Sequence, residues 1–191
     1  MMYTHKKNTK EIAFRVRGFQ HHFLVLLLML LPATAFAGDE VTRNIIEISP
    51  GIGYYNFDDD RNIEDTAMVT LGLGLQFSRR WLMLLHYSAL KYDSARPKVV
   101  IQKYHVDAHY FFNTEKDLRP YIVAGFGQLD IEDEDLTSNE NMFNAGFGVS
   151  YKMSPSWFVR TDARVFVDTD NSYQDNAVTL TLVYRLGGGE K

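Results

Sequence analysis

The sequence predicts an all-β fold, an eight-stranded antiparallel up-and-down transmembrane β-barrel. Three observations predict it. From residue 43 onward, apolar and polar residues alternate with period two in eight segments of about ten residues. The row opposite the apolar one is Gly, Ser and Thr with a few charges, too small and too uncharged to coat a soluble protein. The links between segments alternate long and acidic with short, as outward loops and inward turns do. The one departure is 113–119, as long as 92–98.

The segments follow in order. In 45–57, Ile46, Ile48, Pro50, Ile52 and Tyr54 share one face, with Glu47, Ser49, Gly51 and Gly53 on the other. Segment 66–78 sets Ala67, Val69, Leu71, Leu73, Leu75 and Phe77 against Thr70, Gly72, Gly74 and Gln76. Segment 81–91 sets Trp81, Met83, Leu85 and Tyr87 against Leu84, His86 and Ser88. In 99–112, Tyr104, Val106, Ala108, Tyr110 and Phe112 oppose Lys103, His105, Asp107 and His109. Segment 120–129 sets Ile122, Ala124 and Phe126 against Gly125 and Gly127, with Tyr121 and Val123 sharing the glycine face. In 142–152, Phe143, Ala145, Phe147, Val149 and Tyr151 oppose Asn144, Gly146, Gly148 and Ser150. Segment 157–167 sets Trp157, Val159, Ala163, Val165 and Val167 against Arg160, Asp162 and Arg164. Segment 178–186 sets Val178, Leu180, Leu182, Tyr184 and Leu186 against Thr179, Thr181 and Arg185. Strands of this length, tilted, cross a hydrocarbon layer, and closure removes the unpaired edges that lipid forbids. The apolar row therefore faces lipid and the small polar row faces a narrow lumen.

Residues 1–37 differ in kind. Lys6, Lys7, Lys10, Arg15 and Arg17 precede the apolar run Phe23–Leu31, and Ala35-Phe36-Ala37 supplies a small-x-small cleavage site. That is the order of a secretory signal peptide. Nine apolar residues are too few for a spanning helix. The expected organisation is a cleaved signal over 1–37 and a barrel domain over 38–191. Of the 20 Lys/Arg and 24 Asp/Glu, five and one leave with the signal, so 154 residues remain with a formal charge of −8. An acidic chain lacks the basic footprint that nucleic acid requires. The absence of cysteine excludes disulfides, thiol catalysis, zinc–cysteine sites and a lipoprotein anchor. Mean hydropathy of −0.22 is the average of a lipid-facing row and a lumen-facing row.

Two groups of side chains stand out. Aromatics expected to form interfacial girdles fall at the short-turn end (Phe77, Trp81, Tyr110, Phe112, Tyr151, Trp157, Tyr184) and at the loop end (Tyr54, Tyr87, Tyr104, Phe143). A charged lumen set comprises Glu47, His86, Lys103, His105, Asp107, His109, Arg160, Asp162, Arg164 and Arg185. Charges in a dry interior require partners. Glu47 and Arg185 lie near one end, on strands that become neighbours when the barrel closes. Two readings follow: a gate whose ion pairs exchange to open a small channel, or a permanently salt-bridged plug. Filling of a small barrel by its own side chains favours the plug.

These residues carry a resemblance. Gly51-Ile-Gly53-Tyr-Tyr55, the acidic Asp58-Asp-Asp60-Arg61, Leu71-Gly-Leu-Gly74, Arg119-Pro-Tyr121 with Ala124-Gly-Phe-Gly127, Ala145-Gly-Phe-Gly148 and Leu182-Val-Tyr-Arg-Leu186 are similar to the eight-stranded barrel of the OmpA/OprF group of bacterial outer-membrane proteins. The resemblance covers nearly all of 44–187 and implies a location in the bacterial outer membrane. OmpA proteins continue into a peptidoglycan-binding domain, whereas this sequence stops at Lys191, so no wall-anchoring role is expected. The last strand runs into Gly187-Gly-Gly189 instead of ending on an aromatic residue.

Other candidate chemistries are weaker. His105-x-Asp107-x-His109 has the residue types of a metal set, but its two histidines stand about 13 Å apart along a strand, too far for one ion. The acidic runs 58–60 and 130–135 lack the EF-hand turn glycine. They read as solvated loops, with divalent bridging to lipopolysaccharide as the ligand hypothesis. The four Gly-x-Gly pairs sit mid-strand with no helix behind them, so they make room in the lumen and do not cradle phosphate. His86-Tyr-Ser88 resembles the His-x-Ser pair of the outer-membrane lipid A deacylase, but both residues point inward and no carboxylate is placed to orient the imidazole. The expected protein is a monomer with a structural or surface-interaction role. Its partners are outer-membrane lipid, lipopolysaccharide and an extracellular ligand at the acidic loops. No cofactor or enzymatic activity is expected. A narrow gated channel is the first alternative and a lipid A-modifying enzyme the second.

Overall fold

The computed structural model describes residues 45–61, 63–91, 100–132, 137–169 and 171–186. The expected signal peptide over 1–37, the closing Gly187-Gly-Gly189 and the 133–135 part of the second acidic run lie outside the described residues. Eight strands follow one another: β1 (Ile45–Asn56), β2 (Thr66–Gln76), β3 (Trp81–Lys91), β4 (Val100–Phe111), β5 (Leu118–Glu132), β6 (Thr137–Lys152), β7 (Trp157–Asp168) and β8 (Gln174–Leu186). Each pairs antiparallel with the next, and β1 pairs with β8, closing an up-and-down barrel. Closure gives every strand two hydrogen-bonded neighbours and leaves no edge exposed to lipid.

The pleat sends the two rows to opposite sides. Ile52, Val69, Leu73, Phe143, Phe147 and Val178 are all more than half exposed on the outer face. Their alternation partners turn inward and are buried, or half-buried at Gly51, Gly53, Gly146 and Gly148. Tyr121 and Val123, which share the glycine face, point inward and are buried.

Three strands extend beyond the alternating segments. β5 and β6 continue through Asp130↔Asn139 and Glu132↔Thr137, so most of the expected 130–141 link is ladder. β8 likewise begins at Gln174, before the alternation starts at 178. Ladder hydrogen bonds need only backbone, whereas a lipid-facing apolar row is required only within the hydrocarbon layer. Sequence alternation therefore ends before the strand does.

The short turns repeat a device. Ser78 and Ser154 each stand three residues before a tryptophan, and each hydroxyl accepts the backbone N–H of that residue, from Trp81 at 3.0 Å and Trp157 at 3.2 Å. The backbone N–H groups of Phe77 and Met153 in turn donate to the Trp81 and Trp157 carbonyls. Each turn thus leaves an indole at one end of the barrel. Between β4 and β5, Asn113 takes a φ of 50°, a left-handed conformation that asparagine tolerates.

Two apolar clusters bound the interior. At the loop end, Tyr55, Met68, Leu90, Ile101, Leu129, Met142 and Phe166 pack with Phe57, which follows β1, and with partly buried Ile63. At the turn end, Leu82, Phe111, Tyr121 and Val123 pack together. The charged lumen residues lie between and among these clusters.

Candidate functional site

The inward rows of β1 and β3–β8 build a polar core. Toward the turn end, Glu47 on β1 is fully buried and stands opposite Arg185 on β8. Its carboxylate accepts from Arg185 Nε at 2.7 Å and from Arg160 Nη2 on β7 at 2.8 Å. The guanidinium of Arg185 also lies 3.8 Å from the centroid of Phe158. One carboxylate thus clamps two cations from adjacent strands, and aromatic faces carry part of the remaining charge.

The middle of the lumen holds a longer chain of bonds. Tyr121 donates its hydroxyl to Asp162 at 2.8 Å. Arg164 donates Nε to Asp162 at 2.8 Å and Nη1 to Asp107 at 2.6 Å. Asp107 also accepts from Asn144 at 3.0 Å and bonds His105 Nδ1 at 2.9 Å. The Arg164–Asp107 bond joins β7 to β4 across the barrel, because these strands are not neighbours in the sheet. A charge-assisted chain of this kind ties opposite walls together.

Glycines make the space for it. A side chain at Gly125 would collide with the Asp107 carboxylate and come within 2.8 Å of Asn144 Nδ2. One at Gly148 would meet the Tyr121 ring at 2.6 Å.

The other lumen histidines and the lysine use aromatic contacts. His109 stacks on Tyr121 with centroids 5.0 Å apart. His86 meets His105 edge-on at 4.7 Å. The Lys103 ammonium sits 3.7 Å from the Phe166 centroid and 4.2 Å from that of Tyr55. His105 and His109 do not converge on a common point. His86 comes to His105 instead, since the β3–β4 register sets the two directly opposite. His86 and Ser88 are both buried in the lumen, so this pair does not meet lipid.

At the loop end the segment after β1 folds across the mouth. Arg61, in a short 3-10 turn at Asp59–Arg61, donates Nη1 to Glu140 on β6 at 2.6 Å and Nε to Asp175 on β8 at 2.9 Å. Tyr55 donates its hydroxyl to Asp175 at 2.9 Å. The Arg61 guanidinium also lies 4.4 Å from the Tyr173 centroid. The Asp58 carboxylate accepts backbone N–H groups from Gln174 at 2.8 Å and Asp60 at 3.0 Å, and these two bonds hold it below the usual carboxylate range. The gap bounded by Met68, His86, Ser88, Lys103, His105 and Phe166 has no room for a water molecule.

Arg61, Glu140, Asp175, Tyr55, Tyr121 and Asn144 join the network without belonging to the sequence-derived lumen set. Tyr121 and Asn144 were already on inward rows. Arg61 and Asp175 fall in links between the alternating segments, where periodicity says nothing about direction.

Outside, the aromatic rings contact one another, between neighbouring strands or, for Tyr110 and Phe112, along the end of one strand. Trp81 and Tyr110 lie 5.0 Å apart, Tyr110 and Phe112 5.2 Å, and Trp157 and Tyr184 4.8 Å, all toward the turn end. Tyr87 and Tyr104 pair at 5.1 Å toward the loop end, and exposed Tyr54 and Phe143 lie at the same end. Phe77 and Tyr151 lie at the turn end.

A closed antiparallel barrel with an apolar exterior and a charged, filled interior is the class of protein that crosses a membrane on strands. The family model for the outer membrane protein beta-barrel domain matches residues 23–185, so the chain belongs to this family and is a bacterial outer-membrane protein. No curated protein matches the chain in sequence. Among solved structures, neisserial surface protein A matches with a TM-score of 0.59 and 11% identity, over 78% of this chain and all of that one. The N-terminal barrel of Pseudomonas aeruginosa OprF matches with a TM-score of 0.54 and 18% identity, over 74% and 98%. Ail of Yersinia pestis matches with a TM-score of 0.54 and 14% identity, over 76% and 100%. At these identities the likeness is one of fold. The OmpA/OprF resemblance read from sequence thus holds for the barrel.

Proposed function

We propose that the protein acts through its surface: a barrel with a sealed lumen that spans the outer membrane and engages partners at its acidic outward loops. The observation that carries this reading is that bonded side chains cross the lumen at three levels, the Glu47 clamp toward the turn end, Arg164–Asp107 in the middle and Arg61 over the loop end. A filled barrel leaves solute nowhere to pass, so function falls to the lipid-facing wall and the loops. The interstrand aromatic pairs supply interfacial anchors in that wall.

The loop charge narrows the partner. Asp59, Asp60, Glu64 and Asp65 are exposed in the segment after β1. Ail has been crystallised with the heparin analogue sucrose octasulfate, a polyanion. Acidic loops repel such a ligand and favour a cationic one, or anionic lipopolysaccharide bridged by divalent cations. Reconstitution into bilayers with and without lipopolysaccharide tests the bridge. Calcium should raise the melting temperature only where lipopolysaccharide is present, and Asp59→Asn/Asp60→Asn/Glu64→Gln should weaken the increase. An equal effect of calcium in both bilayers counts against it.

A second reading, a narrow gated channel, is supported by the way the mouth is closed. Among the described residues, the segment after β1, held by Arg61, lies across it. Displacement of that segment would be the first step of opening, and exchange of the lumen ion pairs the second.

A further inference from the structure

We propose that His86, His105 and Asp107 form a transition-metal site inside the barrel. The strand register brings them together. His86 on β3 is the cross-strand partner of His105 on β4, and Asp107 follows two residues later on the same inward row. One donor atom from each lies within 4.8 Å of the others. The His105 Nδ1–Asp107 separation is already 2.9 Å. Two cis ligands on one tetragonal ion stand about 2.9 Å apart, given metal–ligand bonds of about 2.0–2.1 Å. A metal ion therefore fits between His105 and Asp107 in place of the hydrogen-bonded proton, and His86 completes the set by closing about 2 Å.

A second observation points to a ligand. His86 is 3% exposed, yet among the described residues neither ring nitrogen has a hydrogen-bond partner. A buried imidazole with both nitrogens unpaired is costly, and such groups call for a reason. Metal coordination supplies one. On binding at His105 Nδ1, the displaced proton moves to Nε2 of the same ring, so net protonation and oxidation state are unchanged. Arg164 and Asn144 hold the Asp107 carboxylate in place, as outer partners of a ligating carboxylate do.

The chemistry selects the ion. Two imidazoles and one carboxylate oxygen suit late first-row dications, with copper(II) bound most tightly. The neighbouring Lys103 and Arg164 oppose a dication. Lys103 lines the same gap as His86 and His105, so removing its charge should tighten binding roughly tenfold.

Refolding of the purified protein into detergent in the presence of copper(II), followed by removal of unbound metal and electron paramagnetic resonance, tests the site. The expected result is one copper per chain with hyperfine splitting from two imidazole nitrogens. His86→Phe should abolish that signal. His109→Phe, which keeps the stack on Tyr121, should retain it, and Lys103→Met should tighten binding. Failure to bind copper at micromolar free concentration, or a spectrum showing any other number of imidazole nitrogens, overturns the proposal. So does an unchanged spectrum in folded His86→Phe. The nitrogen count in the unmutated protein decides the matter even where His86→Phe does not fold.

Discussion

Replacing Glu47 by glutamine removes one negative charge from between two buried guanidinium groups. Glu47 is fully buried, and the side chains of Arg160 and Arg185 are only 2% and 6% exposed. Among the described residues the Nε and Nη1 atoms of Arg160 have no acceptor, so the Glu47 carboxylate is the anion on which that cation depends. Breaking a buried pair by removing one partner costs about 3–5 kcal/mol. Glutamine keeps the volume and one acceptor oxygen, and Arg185 lies close enough to the rim to regain some water. The lower end applies, about 3 kcal/mol. Urea unfolding in detergent, followed by the fluorescence of Trp81 and Trp157, measures the loss as a lower midpoint at constant slope. The compensated variant Glu47→Leu/Arg160→Met/Arg185→Met should recover most of the stability, since apolar replacement of a whole buried ion cluster is often neutral. A loss below about 1 kcal/mol for Glu47→Gln would refute the reasoning, because it would mean that water already solvates the cluster.

Gly148→Val places a side chain against the Tyr121 ring and should break the Tyr121–Asp162 bond, costing about 1–3 kcal/mol by overpacking in the same urea assay. Arg61→Ala should free the segment at 57–65 from Glu140 and Asp175, raising its amide hydrogen exchange at least about tenfold while the β2 and β7 ladders stay protected. Asp58 has a folded-state pKa below its unfolded one. Its contribution is therefore fully present above the ordinary carboxylate value of about 3.9 and is lost as pH falls through the depressed value. Carbon-13 NMR titration of the Asp58 carboxyl should show a midpoint below that of a model peptide; a midpoint at or above it contradicts the loop geometry.

Much of the fold is legible because a strand has a period of two. Once Ile46, Ile48 and Ile52 share a face, Glu47 and Ser49 must share the other, whatever the neighbours are. The number of segments and their short links then set an up-and-down order. What the pattern lacks is register. Whether His86 stands opposite His105 depends on where each hairpin turns. The distance along one strand makes His105-x-Asp107-x-His109 unpromising for metal while saying nothing of a histidine on the next strand. Cross-lumen contacts such as Arg164–Asp107 are further from reach, since they depend on barrel diameter and strand tilt. The Arg61 clamp was hidden for another reason. An arginine within Asp58-Asp-Asp60-Arg61 reads as solvated, and only the three-dimensional course of the loop brings it over Glu140 and Asp175. The extended ends of β5, β6 and β8 escaped because polar residues pair as readily as apolar ones once lipid no longer has to be faced.

The sealed lumen is the centre of this account, and planar-bilayer recording reads it directly. With the purified protein inserted across the bilayer, the filled and ion-paired interior predicts no stepwise current at any voltage or pH at which the barrel stays folded. Reproducible unitary conductance steps that scale with the number of inserted barrels would contradict it and would establish the gated channel in its place.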